Sequence, residues 1–287
     1  MAATMGKFAR SWALMRSSAH ILSQDKELML FPLLAGLASL AVVATFAWPV
    51  IAMIGTHHAD FEGQRRGVSP LFMLVGFAFY FVQYAVAIFF NTALASAALI
   101  RLDGGDPTLR DGLRLAMGKL PNILGYALIA ATVGIILRML QERLGFVGRI
   151  VAGVLGFGWT VATFLVVPVL AAQDIGPVDA VKQSTSLLKR TWGENLIGNA
   201  GIGLAGGVLT LCLIAVSALL FFGAVATHSV ALMIAVGVAG VIALVGLTLF
   251  QSAMHGVYSA ALYRFAEEGD PGQGFDRALL ESAFRQK

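Results

Sequence analysis

The chain alternates between long stretches without formal charge and short polar segments. Residues 28–59, 67–100, 120–137 and 150–173 contain no Asp, Glu, Lys or Arg. A fifth such stretch, 195–263, runs for 69 residues. A bilayer core about 30 Å thick takes about 20 apolar residues in a helix. Each of the first four stretches therefore reads as one span. The fifth is too long for one and turns near Gly223-Ala-Val-Ala-Thr-His-Ser229. This pattern predicts an all-α integral membrane bundle of six transmembrane helices. The first apolar run follows 27 residues and exceeds the roughly 7–15 residues of a cleavable signal core, so it is expected to stay as an anchor.

The polar segments resemble one another. Ser96-Ala-Ala-Leu-Ile-Arg-Leu-Asp-Gly-Gly-Asp-Pro107 matches Ser259-Ala-Ala-Leu-Tyr-Arg-Phe-Ala-Glu-Glu-Gly-Asp-Pro271 with one insertion, and Val169-Leu-Ala-Ala-Gln-Asp-Ile-Gly-Pro177 is a fainter copy. Each copy follows an even-numbered span. The expected plan is an N-terminal helix at 1–27 and three like-oriented hairpin repeats, 28–120, 121–194 and 195–287, in one membrane domain. Unlike inverted transporter repeats, these would share one orientation.

Each repeat ends in a segment with helical periodicity. In the first, Leu109, Leu113, Ala116 and Leu120 share a face opposite Arg110, Asp111 and Arg114, and Asp106 with Pro107 suits the cap and first helical position. In the second, Val178, Val181, Leu188 and Trp192 oppose Asp179, Lys182 and Lys189. In the third, Phe275, Leu279 and Ala283 oppose Asp276 and Arg277, with Asp276 the better cap after Gly272 and Gly274. The N-terminal segment repeats the theme through Phe8, Trp12, Met15, Ala19 and Leu22. Such amphipathic helices suit either the headgroup region or a collar packed beneath the bundle. Candidate contacts to anionic lipid headgroups are Arg10, Arg16, Arg110, Arg114, Lys119, Lys182, Lys189 and Arg190.

Basic residues set the orientation. With the N-terminus inside, 15 of the 20 Lys and Arg fall on the inner side and 5 outside. By the positive-inside rule both termini are expected in the cytoplasm. Composition agrees with the pattern: 58% of residues are hydrophobic and 13% charged, against about 25% charged in soluble domains. That excludes a cytosolic globular enzyme and a disordered chain. The net charge of +4 reads as topology rather than nucleic-acid binding. The single cysteine, Cys212, lies in an apolar run and is expected to be a buried thiol.

Asp and Glu are absent from the spans, which argues against ion-coupled transport. Arg138 closes the third span and can snorkel outward. The polar residues within the spans are Gln83, Asn91, Asn195, Asn199, Gln251, His255 and Tyr258, the last three on one face at i, i+4 and i+7. They fit interhelical hydrogen bonds; the other reading is a polar path. Gly201-Ile-Gly-Leu-Ala-Gly206 has the letters of a dinucleotide fingerprint but no preceding strand. Gly203 and Gly207 instead suggest a close-packing face, extended by Gly153, Gly156, Gly237 and Gly240. His57, His58, Asp60 and Glu62 read as a solvated loop rather than a metal site. With no P-loop, HExxH or nucleophile elbow, neither an enzyme nor a cofactor is expected.

Ser11-Trp12, Asp25-Lys-Glu-Leu28 with Pro32, and Gln183-Ser-Thr-Ser186 with Trp192 give a plan that resembles an uncharacterised group of bacterial multi-pass inner-membrane proteins. These are distantly similar to the membrane domain of some glycerophosphodiester phosphodiesterases. The resemblance implies a stand-alone membrane domain and transfers no catalytic residue. The expected function is a self-associating membrane scaffold with anionic lipids, further copies of itself or an unidentified protein as partners. A pore or facilitative transporter for a small solute or lipid is the alternative.

Overall fold

The computed structural model describes residues 7–57, 70–192 and 201–275. They form an all-helical protein: α1 (Lys7–Gln24), a 3-10 turn (Lys26–Met29), α2 (Leu30–His57), α3 (Pro70–Leu102), α4 (Leu109–Gly118), α5 (Leu120–Arg143), α6 (Gly145–Ala162), α7 (Val166–Ala172), α8 (Pro177–Trp192), α9 (Gly201–Ala226) and α10 (Val230–Glu268). Six stretches are long and apolar enough to cross a membrane: Lys26–Ile51, Met73–Leu102, Leu120–Arg143, Gly145–Ala172, Gly206–Ala226 and Val230–Glu268. Helices are the form such sequences must take, because lipid offers no partner to a free backbone N–H or C=O. Trp48, Leu219 and Phe222 are each more than 70% exposed, an arrangement suited to acyl chains and costly in water.

The chain clusters into two compact units. The first comprises Met1–Met29, Ala98–Pro107 and Leu187–Lys287. Here α1 packs against α9 and α10. The α9–α10 pair is antiparallel, and small residues set its spacing. A methyl group on Gly240 would lie 3.4 Å from Ser217 Cβ, and one on Gly237 3.8 Å from Phe221. The turn between them falls at Thr227 and His228, inside the expected 223–229 window. His228 adopts φ 55°, and Ser229 caps α10 by accepting the Leu232 N–H at 3.4 Å.

The second unit comprises Leu30–Ala97 and Thr108–Ser186. In it α3 and α5 run antiparallel, with Tyr84 opposite Gly134 and Tyr80 opposite Arg138. The α5–α6 hairpin turns at Gly145, whose φ of +57° is easy for glycine. Beneath the α2–α3 hairpin, α4 packs through Gly112. A Cβ there would stand 2.5 Å from Phe31 Cζ and 2.7 Å from the Ala93 carbonyl.

Several expectations are corrected. Asp106 does not cap α4. Thr108 does, in a reciprocal box: its hydroxyl accepts the Asp111 N–H at 3.2 Å, and the Asp111 carboxylate accepts the Thr108 N–H at 3.2 Å. A hydroxyl at the cap with a carboxylate three residues on satisfies two orphan donors at once, which Asp106 and Pro107 could not. In α8 the buried line is Ala180, Ser184, Leu187 and Leu188, while Val178 is 53% exposed. The fourth span is present as expected, and within it the helix breaks at Thr163–Leu165. Cys212 is exposed, on a helix whose surface is apolar throughout. Gly207 faces open space, and it is Gly206 that meets Gln251. Leu279, Ala283, Asp276 and Arg277 lie outside the described residues, as do His58, Asp60 and Glu62.

Candidate functional site

In the first unit the polar chemistry gathers where three chain segments meet: the end of α1, the end of α3 with its following loop, and the end of α10 with its turn. Helix α10 stops at Gly269, which takes the left-handed conformation that suits glycine at a C-terminus. Gly272 lets the turn approach α3, since a side chain there would come within 2.7 Å of the Leu102 carbonyl. The next residue, Gln273, donates its N–H to that carbonyl at 2.9 Å. Arg264 forms an ion pair with Asp103 and another with Glu268 at 3.2 Å. Arg101 donates to Gln24 Oε1 at 3.3 Å and to the Gly105 carbonyl at 3.2 Å, with Asp106 3.8 Å away.

Asp25 sits at the root of this junction and is only 6% exposed. Its Oδ1 accepts the Glu27 N–H at 3.2 Å, fixing the 3-10 turn, while Oδ2 is buried with no hydrogen-bond partner. Burial pushes the Asp25 carboxyl above the usual carboxylate range. The Glu27 N–H and the Arg101 charge pull it back, and Asp106 and Glu27 push it up further. The chemistry of the junction is therefore adhesive. Two guanidiniums, each shared between partners, tie loops that are distant in sequence. Such pairs are individually weak where solvent reaches them, and the Asp106 side chain is 98% exposed.

In the second unit the break in the fourth span has a chemical cause and a chemical remedy. Pro168 lacks an N–H and crowds the carbonyl four residues earlier, so the helix cannot run straight through Phe164. The exposed backbone groups are met by α8. Ser184 Oγ accepts the Leu165 N–H at 3.1 Å and donates to the Ala162 carbonyl at 2.7 Å. Thr185 Oγ1 donates to the same carbonyl at 3.4 Å. Ser184 is fully buried. Lys119, between α4 and α5, donates to the Gln173 carbonyl and pairs with Asp174, both at 3.2 Å.

The polar residues of the spans stand in different surroundings. Gln83, in the second unit, donates to the Ser39 carbonyl of α2 at 3.3 Å, and Asn91 is exposed on α3. Gln251, in the first unit, donates to the Gly206 carbonyl at 3.1 Å and to Thr210 Oγ1 at 3.2 Å. His255 is exposed and Tyr258 half-buried on the same helix. Asn195 and Asn199 lie outside the described residues. Of the candidate headgroup contacts, Arg16, Arg110, Arg114, Lys182 and Lys189 are exposed. Arg114 lies 3.6 Å from Asp111, and Lys182 3.0 Å from Asp179. Lys119 is the exception, held inward by Gln173 and Asp174 rather than offered to lipid. The side chains of Arg10 and Arg190 lie outside the described set.

Sequence reasoning passed over Asp25, Asp103, Arg264 and Ser184 as site residues. The signal for the arginines was present in the two Ser-Ala-Ala-Leu-x-Arg copies, which place Arg101 and Arg264 at equivalent helix ends. Among the described residues no group of three His, Cys, Asp or Glu side chains could hold a metal ion.

Comparison with curated proteins finds no match. A family model does match, over residues 70–275, from α3 through the turn after α10. The match covers most of the chain and reaches into both of its compact units. The protein therefore belongs to the family of unknown function DUF6159.

Proposed function

We propose that the protein is a non-enzymatic multi-pass membrane scaffold that self-associates, with its amphipathic helices directed to anionic lipid or a protein partner on the cytoplasmic side. The observation that carries this reading is the use made of the intramembrane polar side chains. Gln83 and Gln251 each join two helices through a backbone carbonyl. Side chains so engaged hold a bundle together and are poorly placed to pass a solute. The ion-paired junction at Arg101 and Arg264 and the exposed cations of α4 and α8 support the same reading.

One observation favours the alternative of a pore or facilitative transporter: Asn91 exposes an amide within the Met73–Leu102 span. Reconstitution into liposomes separates the two. A scaffold leaves efflux of trapped small solutes at the level of empty vesicles. Saturable efflux that falls on Asn91→Leu would replace it with the pore.

A further inference from the structure

A second site lies in the second unit, at the end of the α2–α3 hairpin far from α4. Here α2 and α3 meet through long side chains rather than by close backbone approach, and a cavity of about 240 Å³ opens between them. Phe46, Val50, Val75, Gly76 and Phe79 contribute to its wall. Phe46 and Phe79 stack edge to face with centroids 5.6 Å apart. A methyl group on Gly76 would touch nothing within 4 Å, so this glycine leaves the space open. Almost no polar atom faces the cavity. Both helices are membrane spans, so the occupant that matches this wall is an alkyl chain.

A cation stands next to the groove. Phe79 packs edge to face on Tyr80, with centroids 6.1 Å apart. Tyr80 Oη in turn accepts a hydrogen bond from Arg138 Nη1 at 2.8 Å. Arg138 also donates Nε to Glu142 at 2.9 Å, and its side chain is 62% exposed. Neither bond uses Nη2, and among the described residues no further partner of Arg138 is seen. A guanidinium pre-oriented by a phenol and a carboxylate, with N–H donors beyond the two used in those bonds, is suited to a phosphate oxygen. Arg138 lies near the end of α5, where the span meets the headgroups.

We infer that the α2–α3 groove and Arg138 together form a binding site for one anionic phospholipid, an acyl chain lying against Gly76 and Phe79 and the phosphate on Arg138. The Glu142 carboxylate tempers the charge of the site, so the inference favours a single phosphate monoanion over a polyanionic headgroup. This site is independent of the scaffold reading and does not need it.

Native mass spectrometry of the full chain released from nanodiscs tests it, with equal dioleoylphosphatidylglycerol and dioleoylphosphatidylcholine as the lipid. The expected result is one phosphatidylglycerol retained in preference to phosphatidylcholine. Arg138→Gln lowers that preference about tenfold, the scale of one charge-assisted hydrogen bond. Gly76→Leu fills the groove and lowers retention of both lipids. Arg143→Gln, an exposed arginine on the same helix, leaves retention unchanged. Melting temperatures confirm that each variant is folded. Equal retention of the two lipids by the wild type overturns the inference. So does an Arg143→Gln effect as large as that of Arg138→Gln, or full retention by Gly76→Leu.

Discussion

The Ser184 hydroxyl accepts the Leu165 N–H at 3.1 Å, closing a break in a membrane-spanning helix with a side chain from the helix that follows it. In lipid an unsatisfied backbone donor costs several kcal/mol, so this contact turns a helix break into a tolerated bend. Ser184→Ala is expected to destabilise the protein by about 1–3 kcal/mol, read as a lower melting temperature in detergent. Pro168→Ala restores a donor within the span, so Ser184→Ala should cost less in that background. Equal costs in both backgrounds would mean that Ser184 does not serve the break.

The contact of Gly112 with Phe31 and Ala93 yields a steric expectation. Adding one methyl forces Phe31 or the α3 backbone to move, at a cost of about 1–3 kcal/mol. Gly118, on the same helix, has nothing within 4 Å of an added Cβ. Gly118→Ala should therefore be neutral or slightly stabilising. Similar melting temperatures for the two variants would contradict the packing of α4 under the α2–α3 hairpin.

Much of this was legible in the sequence, and the division has physical reasons. The six spans could be read because lipid forces backbone hydrogen bonds inside each segment, so apolar length alone reports them. The adhesive roles of Gln83 and Gln251 followed from amides inside apolar runs. The cap of α4 was misplaced because Asp106-Pro107 and Thr108 with Asp111 are both good start signals, and only reciprocal geometry separates them. Which of Gly206 and Gly207 meets α10 depends on helix rotation, which a stripe of small residues does not encode. Ser184 and Asp25 were hidden for another reason: each serves backbone or charge that becomes exposed only after tertiary packing.

Asp25 carries a pH expectation. Its carboxyl is raised by burial, so between the ordinary value near 4 and its raised value the folded state binds more protons than the unfolded chain. Stability from this group therefore grows as pH falls through the raised value and is lost as pH rises again. Arg101, Asp106 and Glu27 are the charges that face it. Asp25→Asn removes this component, so the wild type should gain on the variant as pH falls from 7 to 4. Parallel melting curves across that range, or a wild type that loses ground, would rule out a buried, proton-hungry Asp25.

Gln251 spans α9 and α10 with two hydrogen bonds. Replacing it with Leu keeps the volume and removes both. The expected loss is about 0.5–2 kcal/mol, with no change in the permeability of reconstituted vesicles. A variant of unchanged stability that alters solute flux would instead mark Gln251 as part of a conducting route.

Subunit counting in the bilayer bears most directly on the proposed role. The protein, carrying one fluorescent protein fused to a terminus, can be diluted into liposomes and its copies counted by stepwise photobleaching. A self-associating scaffold gives a fixed number of bleaching steps above one, unchanged as the lipid-to-protein ratio rises tenfold. A single step per spot at every dilution would contradict self-association and leave a monomeric membrane protein in its place.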